Sequence, residues 1–374
     1  MTIANKLDSS DPNRCGRSIK YALEHLTLGL DSDEKPYAVI NGQPKSNPIA
    51  HPLEGKTIKT WIRKKALNRG DLLKRDDIKE VIETLFAHAS ANEIIMDIHL
   101  RVAPSKHGGV VVDLCDKQNK RVLMNAGNVS ILDSDSNVLF KRSPTMSALP
   151  IPADKGNLKT LIPYLNMSAE HRYLFIGWLS YCLTHPKGTS PYPILIIKGG
   201  AGSGKSSLCK MILRQLIDNN SCGVQLFPSD VKDLAISSQN QHVIIMDNMR
   251  VLTKQWSDIL CVASTGGSIT FRKLYSDSEE SQLHLHAPMV LNGIHNFIVE
   301  PDLASRCVTI QLLNISPVKR REESILAKKL AKDMPKIFRG LLDLSAKLLE
   351  KEASAKVIHS ERMIEFSRWL AAME

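Results

Sequence analysis

The alternation of apolar and polar positions changes period several times along the chain, and each change marks a different kind of element. Residues 1–50 mix Asp, Asn, Ser, Gly and Pro, and only GRSIKYALEHLTLGL (16–30) repeats apolar residues at helical spacing. A partly mobile N-terminal segment with one helix is expected there. TIKTWIRKKALNRGDLLKRDDIKEVIETLFAHAS (57–90) has the apolar spacing of two helices. The first carries Lys59, Arg63, Lys64, Lys65 and Arg69, and the second opens near Asp76 and Asp77, whose charge suits the start of a helix. IIMDIHLRVA, GVVVDLCD, KRVLMNA, NVSILDS and NVLFKRS follow as short runs split by Gly, Asn, Asp and Ser, the pattern of a β meander. Residues 51–142 thus read as a small α+β domain.

SPTMSALPIPADKGN (143–157) concentrates three prolines and a glycine and reads as a linker. LKTLIPYLN and AEHRYLFIGWLSYCLTH predict two helices, the second apolar enough to pack on a sheet. From residue 191 strand-like runs alternate with helical ones, which implies a three-layer α/β core with a parallel sheet over 158–318. Beyond 319 helical periodicity returns and reaches the last residues, giving a C-terminal helical lid over 319–374. No internal repeat interrupts this order.

Composition narrows the class. No apolar run approaches the ~18 residues of a membrane span, and MTIANKLDSSDPNR lacks the apolar core of a signal peptide. A cytoplasmic protein without membrane contact is expected. The seven cysteines are scattered without a C-x-x-C pair, so buried, reduced thiols are a better reading than zinc or disulfides. A formal net charge of +10 favours a polyanionic partner. Aromatic residues are only 5% of the chain, so no stacking platform stands out and charge would carry most nucleic-acid affinity.

The sharpest chemical signal is GGAGSGKS (199–206), between the β-branched run PYPILIIK and SSLCKMILRQLI, which is apolar at helical spacing. Strand, glycine loop and helix in this order fit G-x-x-x-x-G-K-[ST], in which backbone N–H groups curl around phosphates at a helix N-terminus. Gly199, Gly200, Ala201, Gly202, Ser203, Gly204, Lys205, Ser206 and Ser207 are therefore assigned to ATP, with the Ser206 hydroxyl directed at Mg²⁺.

Phosphate loops serve many enzymes, so the downstream residues decide. QHVIIMDN (241–248) is an apolar strand ending in an acid, the layout of a Walker B strand, with Asp247 as a metal ligand. Many related ATPases have a glutamate where this chain has Asn248; an amide orients water but accepts no proton, so the general base is Asp247 itself or a carboxylate elsewhere. HAPMVLNG (286–293) delivers Asn292 at a strand end, where a polar group reaches the γ-phosphate or the attacking water (sensor 1). Asparagine is also a common turn former. Arg306, in EPDLASRCVTIQL (300–312), is either a surface ion pair or an arginine inserted into a neighbour's site. Between these elements, ITFRKLY and SQLHLHA flank SDSEE as a β hairpin with Arg272 and Lys273 on the arm leading to its tip. Such a hairpin is either merely solvated or holds the phosphates of a strand threaded through a ring.

The ordered set GGAGSGKSS, IIMDNMRVLTKQWSDILCVASTGGSITFRKLYSDSEE and APMVLNGIHNFIVEPDLASRCVTI resembles the ATPase domain of replication proteins encoded by phages and mobile elements, related to superfamily 3 and other AAA+ helicases. The resemblance covers about residues 93–372, and its joint motifs are far more specific than the phosphate loop alone. It implies an ATP-dependent homo-oligomeric ring, a hexamer, that unwinds or translocates on DNA, with single-stranded DNA in a central channel. Lys205 and Ser206 would bind ATP and Mg²⁺, Asp247 would hold the metal, Asn292 would be sensor 1, Arg306 the trans arginine, and Arg272 with Lys273 the DNA contact. Many relatives resemble fusions to a primase-like or zinc-bearing region, for which this chain has neither cysteine clusters nor length. Primer synthesis would then need a separate primase or polymerase.

A DNA helicase or translocase is thus the leading expectation, with the α+β domain as a DNA-binding or collar domain and the helix around Arg63–Lys65 as a phosphate contact or a solvated face. The alternative is a nucleotide-switched assembly or helicase-loading factor that unwinds nothing, favoured by the missing glutamate beside Asp247. A GTPase is disfavoured because no N-K-x-D motif follows the core, and a small-molecule kinase because the basic hairpin would have no role.

Overall fold

The computed structural model describes residues 13–42, 46–106, 108–133, 138–272, 280–316, 318, 322–357 and 362–374, with the backbone course alone at 271, 272, 280 and 281. In chain order the first elements are α1 (Arg14–His25), β1 (Leu26–Leu30), β2 (Pro36–Ile40), β3 (Ile49–Pro52), α2 (Lys56–Asn68), α3 (Arg75–Ala91), β4 (Ile98–His99), β5 (Val102–Pro104), β6 (Val110–Asp113), β7 (Arg121–Asn125), β8 (Asn128–Leu132) and β9 (Leu139–Lys141). The chain forms a mixed α/β structure of two compact units, one running to His99 with Asp133–Arg142, the other comprising Leu100–Leu132 and Ser143–Glu374.

In the first unit the sheet order is β1-β2-β3-β9-β4. Pairing is antiparallel from β1 to β3 and parallel from β3 through β9 to β4. The helices present Ala22 from α1, Ile58, Ile62 and Ala66 from α2, and Val81 and Leu85 from α3 to one apolar cluster with Leu26 and Leu28. Acidic side chains fix the helix ends. Asp77 accepts a bond from Lys74 N at the start of α3 and pairs with Arg14, while Asp71 pairs with Arg17. The helix expected over 16–30 stops at His25, because LTLGL becomes a strand that exchanges hydrogen bonds with Ile94 and Met96. Gly29 permits this approach, since a Cβ there would lie 2.7 Å from Ile94 O.

The runs expected as one meander divide between the units. β4 and β9 pair in parallel in the first sheet, a contact across the whole interval 100–138 that local alternation cannot encode. Only β5-β6-β7-β8 form an antiparallel meander, in the second unit.

The second unit continues with a 3₁₀ helix (Leu158–Tyr164) that contains Pro163, α4 (Ala169–Thr184), β10 (Ile194–Lys198), α5 (Lys205–Ser207), a π-helical stretch (Leu208–Leu213), α6 (Arg214–Ile217), α7 (Val231–Asn240) and β11 (Ile244–Met249). Then come α8 (Lys254–Thr265), β12 (Gly267–Arg272), β13 (Glu280–Leu285), β14 (Met289–Gly293), α9 (Pro301–Ala304), β15 (Cys307–Gln311), α10 (Glu323–Lys351) and α11 (Ile364–Ala371). The four-stranded sheet has the order β11-β14-β10-β15 and is parallel throughout. Alternate residues serve opposite faces. Leu195, Ile197, Ile245 and Val290 join α4, α10 and α11 in one cluster, and Ile194, Ile196, Ile244 and Leu291 join α7 and α8 in another. Burial on both faces explains why these strands read as unbroken apolar runs. No described helix is long and apolar enough to cross a membrane.

The proline-rich segment 143–157, expected as a linker, is packed. Ser147 N donates to Asn219 O, and Ala153 N and Asn157 N donate to the Pro335 and Lys336 carbonyls of α10. Gly156 and Gly340 touch backbone to backbone, since a Cβ on Gly156 would fall 2.4 Å from Gly340 N. Proline prevented regular structure there without preventing burial. α10 also reaches the meander, where Gly127 N donates to Ala346 O.

A charged cluster is buried in this unit. Asp218, wholly inaccessible, lies between Arg101 (Nη2 at 3.3 Å) and Arg214 (Nη1 at 3.4 Å), and its Oδ2 accepts from His242 N and Val243 N. Arg101 also donates to the Asp113, Ser147 and Asn219 carbonyls, and Arg214 to Gly223, Val243 and Gln241. Removing one partner of such a group strands the others without compensation. Asp218→Ala is expected to lower unfolding stability by about 3–5 kcal/mol and Asp218→Asn by less; a denaturant midpoint close to wild type for Asp218→Ala would refute the network's role.

Candidate functional site

The site begins at the carboxyl end of β10, whose first four residues are fully buried. Beyond Lys198 the chain turns through Gly199–Gly204, with Gly202 at φ +73° and Gly204 at φ +91°, angles that glycine adopts without steric penalty. Glycine is also needed at 199, where a Cβ would lie 2.5 Å from Ser203 Oγ. Ala201 and Gly202 are exposed at the tip, and Ser203 is buried beneath them. The turn leads into α5, so its N–H groups collect at a helix start that favours anions.

Lys205, first in α5, folds back and donates from Nζ to Gly199 O (2.7 Å) and Gly200 O (3.0 Å). Burial draws its ammonium pKa down from the ordinary lysine value, opposed by the charge of Asp247. Ser206 Oγ donates to Asp247 Oδ2 at 2.7 Å, joining the loop to β11. Hydroxyl and carboxylate oxygens at this separation are the donors that suit a small, hard divalent cation.

Asp247 and Asn248 occupy an irregularity where the register of β11 against β14 slips between Met246 and Met249. Asn248 sits at φ +61°, and its N–H donates to Asp247 Oδ1 at 2.7 Å. The slip turns the carboxylate toward Ser206 instead of into the apolar layer that takes Met246. Asn292 in β14 pairs in register with Ile197, one residue from the end of β10. It is wholly buried; Nδ2 lies 3.8 Å from Cys209 Sγ, and Oδ1 has no hydrogen-bond partner among the described residues. Burial pushes the Cys209 thiol up to about 12, so it faces the amide as a neutral group.

Lys205, Ser206, Asp247 and Asn292 therefore meet at the carboxyl edge of the parallel sheet, the edge at which open α/β sheets bind ligands. Arg306 does not join them. It precedes β15, whose first residue pairs with Ile194 at the start of β10, which leaves it at the amino edge, a strand length of roughly 13 Å away. There it pairs with Asp302 (3.4 Å), which also binds Arg362, while its Nε has no partner among the described residues. β12 and β13 form the expected antiparallel hairpin, with Gly267 opposite Leu285 and Arg272 opposite Glu280. Arg272 ends β12, its side chain is not described, and Lys273 lies outside the described residues.

Two features escaped the sequence. Asn166 donates from Nδ2 to Ser203 O (3.2 Å) and Leu313 O (2.6 Å), tying the loop to the chain after β15; a single asparagine after a short helical run gave no signal. Beside the loop lies an apolar cavity of about 90 Å³ open to solvent, lined by Tyr164, Ser207, Leu208, Met211, Ile315 and Leu330 among others. Its walls come from four separate stretches of chain, so periodicity in no one of them could show it.

Residues 158–374, more than half of the chain, match the family described as actinomycete integrative conjugative element replication protein. No curated protein matches in sequence. Among solved structures, the A form of the apo NrS-1 C-terminal region is similar with a TM-score of 0.47 at 13% identity, covering 94% of this chain and 74% of that one. Another apo structure of the NrS-1 C-terminal region gives 0.43 at 13% identity, with 93% and 76% covered.

At Gly204 an added methyl would meet only Ile315 Cδ1, at 3.8 Å, so Gly204→Ala isolates the conformational requirement of the turn. About 1–2 kcal/mol of stability should be lost, read as a lowered melting temperature; an unchanged value would show that the turn tolerates a side chain.

Proposed function

The chain belongs to the family of actinomycete integrative conjugative element replication proteins, and on that premise we propose that it is an ATPase with an AAA+ phosphate loop that works on DNA during replication of a mobile element. The carrying observation is the 2.7 Å bond between Ser206 Oγ and Asp247 Oδ2, which brings a loop hydroxyl and a strand-end carboxylate together beside Lys205. In this reading the N–H groups of Gly200–Ser206 hold the α- and β-phosphates, and Lys205 exchanges its two carbonyl partners for the β- and γ-phosphates. The adenine enters the apolar cavity against Tyr164, Met211 and Ile315, where the base is shielded from water. Ser206 and Asp247 would hold Mg²⁺, which when bound offsets charge on the phosphates.

Asn292 reaches the reacting end from its buried position, and the unpartnered Oδ1 can accept a hydrogen bond from the attacking water, fixing its direction of approach. Asn248 cannot take the proton, which leaves Asp247 or a carboxylate from elsewhere as the base. Arg306, at the far edge of the sheet, serves a neighbouring subunit's site, so hydrolysis requires an oligomeric ring, proposed as a hexamer. The β12–β13 hairpin with Arg272 and Lys273 contacts single-stranded DNA in its channel. ATP turnover coupled to this contact makes the protein a helicase or translocase. Asn248 in the place of a glutamate favours a second reading, a nucleotide-switched assembly or loading factor with slow hydrolysis.

The purified protein should hydrolyse ATP several-fold faster with single-stranded DNA, and Lys205→Ala should lose the turnover. DNA binding without stimulated turnover would favour the switch instead, and normal turnover by Lys205→Ala would remove the loop from the chemistry. Arg306→Ala should be inactive alone but regain activity when mixed with Lys205→Ala, as each supplies what the other lacks; failure to recover at any mixing ratio would overturn the trans assignment.

A further inference from the structure

The half of α10 nearer its start turns four lysines to solvent. Lys328, Lys332 and Lys336 recur at i, i+4 and i+8, and Lys329 adjoins Lys328. At 3.6 residues per turn all four fall within about 100° of the helix circumference, in a row about 12 Å long. Each is exposed, while Leu330, Met334, Ile337 and Leu341 are buried on the opposite side. Among the described residues none of the four side chains takes part in a hydrogen bond or an ion pair. The nearby acids are engaged or turned away. Asp333 accepts from Tyr164 Oη at 2.6 Å and Glu322 accepts from Ser324, and Glu323, in the first turn, lies across the helix from the row. Like charges at i, i+4 oppose a helix, and the row contains two such pairs, Lys328 with Lys332 and Lys332 with Lys336. Anions from outside the chain relieve that repulsion.

We propose that this face of α10 binds the phosphate backbone of duplex DNA without reading its sequence. The row offers point charges alone. No aromatic ring stands in it to stack on an unpaired base, and no amide or guanidinium stands in it to read a base edge. Charge by itself favours the duplex, which presents one phosphate per ~1.7 Å of its axis against ~3.4 Å for a single strand. The surface is turned away from Leu326 and Leu330, which line the cavity beside the phosphate loop, and is separate from the β12–β13 hairpin. It rests on the family's part in DNA replication and requires no nucleotide, so it does not rest on the ATPase reading.

The test is fluorescence anisotropy of a labelled DNA duplex with the full chain, without nucleotide, across a salt series. It is run in the Arg272→Ala/Lys273→Ala background, which removes any hairpin contribution. Lys328→Gln/Lys332→Gln/Lys336→Gln should weaken binding about tenfold or more and flatten the log–log salt dependence by about 2.7, near 0.9 for each phosphate no longer neutralised. Glutamine suits a helix about as well as lysine and removes the repulsion, so the melting temperature should not fall; a fall would assign the lysines to the fold instead. Lys328→Arg/Lys332→Arg/Lys336→Arg should bind as the parent does. Lys205→Ala should too, so failure of the ATPase reading would leave this surface standing. Unchanged affinity and slope in the glutamine variant would overturn the site, as would an equal loss in the arginine variant. A single strand of the same length bound as tightly as the duplex, or more tightly, would overturn the assignment to duplex DNA.

Discussion

Asp218 is the point on which the second unit depends. Its carboxylate sits just past α6, at the end of the helical stretch that begins with Lys205, and it accepts from His242 N and Val243 N where the chain enters β11. The same stretch and the same strand meet again at their other ends through Ser206 and Asp247. One buried anion thus sets the register in which loop helix and strand lie side by side. Burying a carboxylate is unfavourable unless it is paired and fully hydrogen-bonded, and two arginines with two backbone amides meet that condition. Because Arg101 comes from the beginning of the meander, the antiparallel sheet is fastened to the parallel one at the same node.

The parts of the site that could be read from sequence are those whose reasons are local. The loop was legible because left-handed turns demand glycine at fixed spacing, and Asp247 and Asn292 because strands buried on both faces stand out as apolar runs that end abruptly in a polar residue. What stayed hidden depends on pairing across long intervals. β9 looks like any neighbour of β8, yet it belongs to another sheet because its partners are β3 and β4. In DNNS, after the loop helix, Asp218 reads as a turn residue; its role appears only once two arginines from distant segments converge on it. The composition that suggested a linker at 143–157 reflects missing regular structure, while burial there was decided by α10. An aromatic contact between α1 and α2 was invisible for a similar reason: Tyr21 and Trp61 are forty residues apart and meet only because their helices pack.

The parallel sheet also gives the molecule a direction. Its carboxyl edge gathers Lys205, Ser206, Asp247 and Asn292, and its amino edge carries Arg306 with Asp302 and Arg362. A strand cannot present both its ends at one point, so no rearrangement of loops that leaves the sheet intact brings Arg306 to the Lys205 of the same chain.

The contact between Gly156 and Gly340 has a mechanical consequence. α10, 29 residues long, is a rod of about 43 Å, pressed at Gly340 against the backbone of another segment with no side chain between to yield. One arm, of roughly 21 Å, runs back to Leu326 beside the apolar cavity; the other, of roughly 15 Å, runs to Glu350, next to Gly127 at the β7–β8 turn. Both arms therefore set out from a point that cannot yield, and a methyl at either 156 or 340 would have to push the facing backbone away.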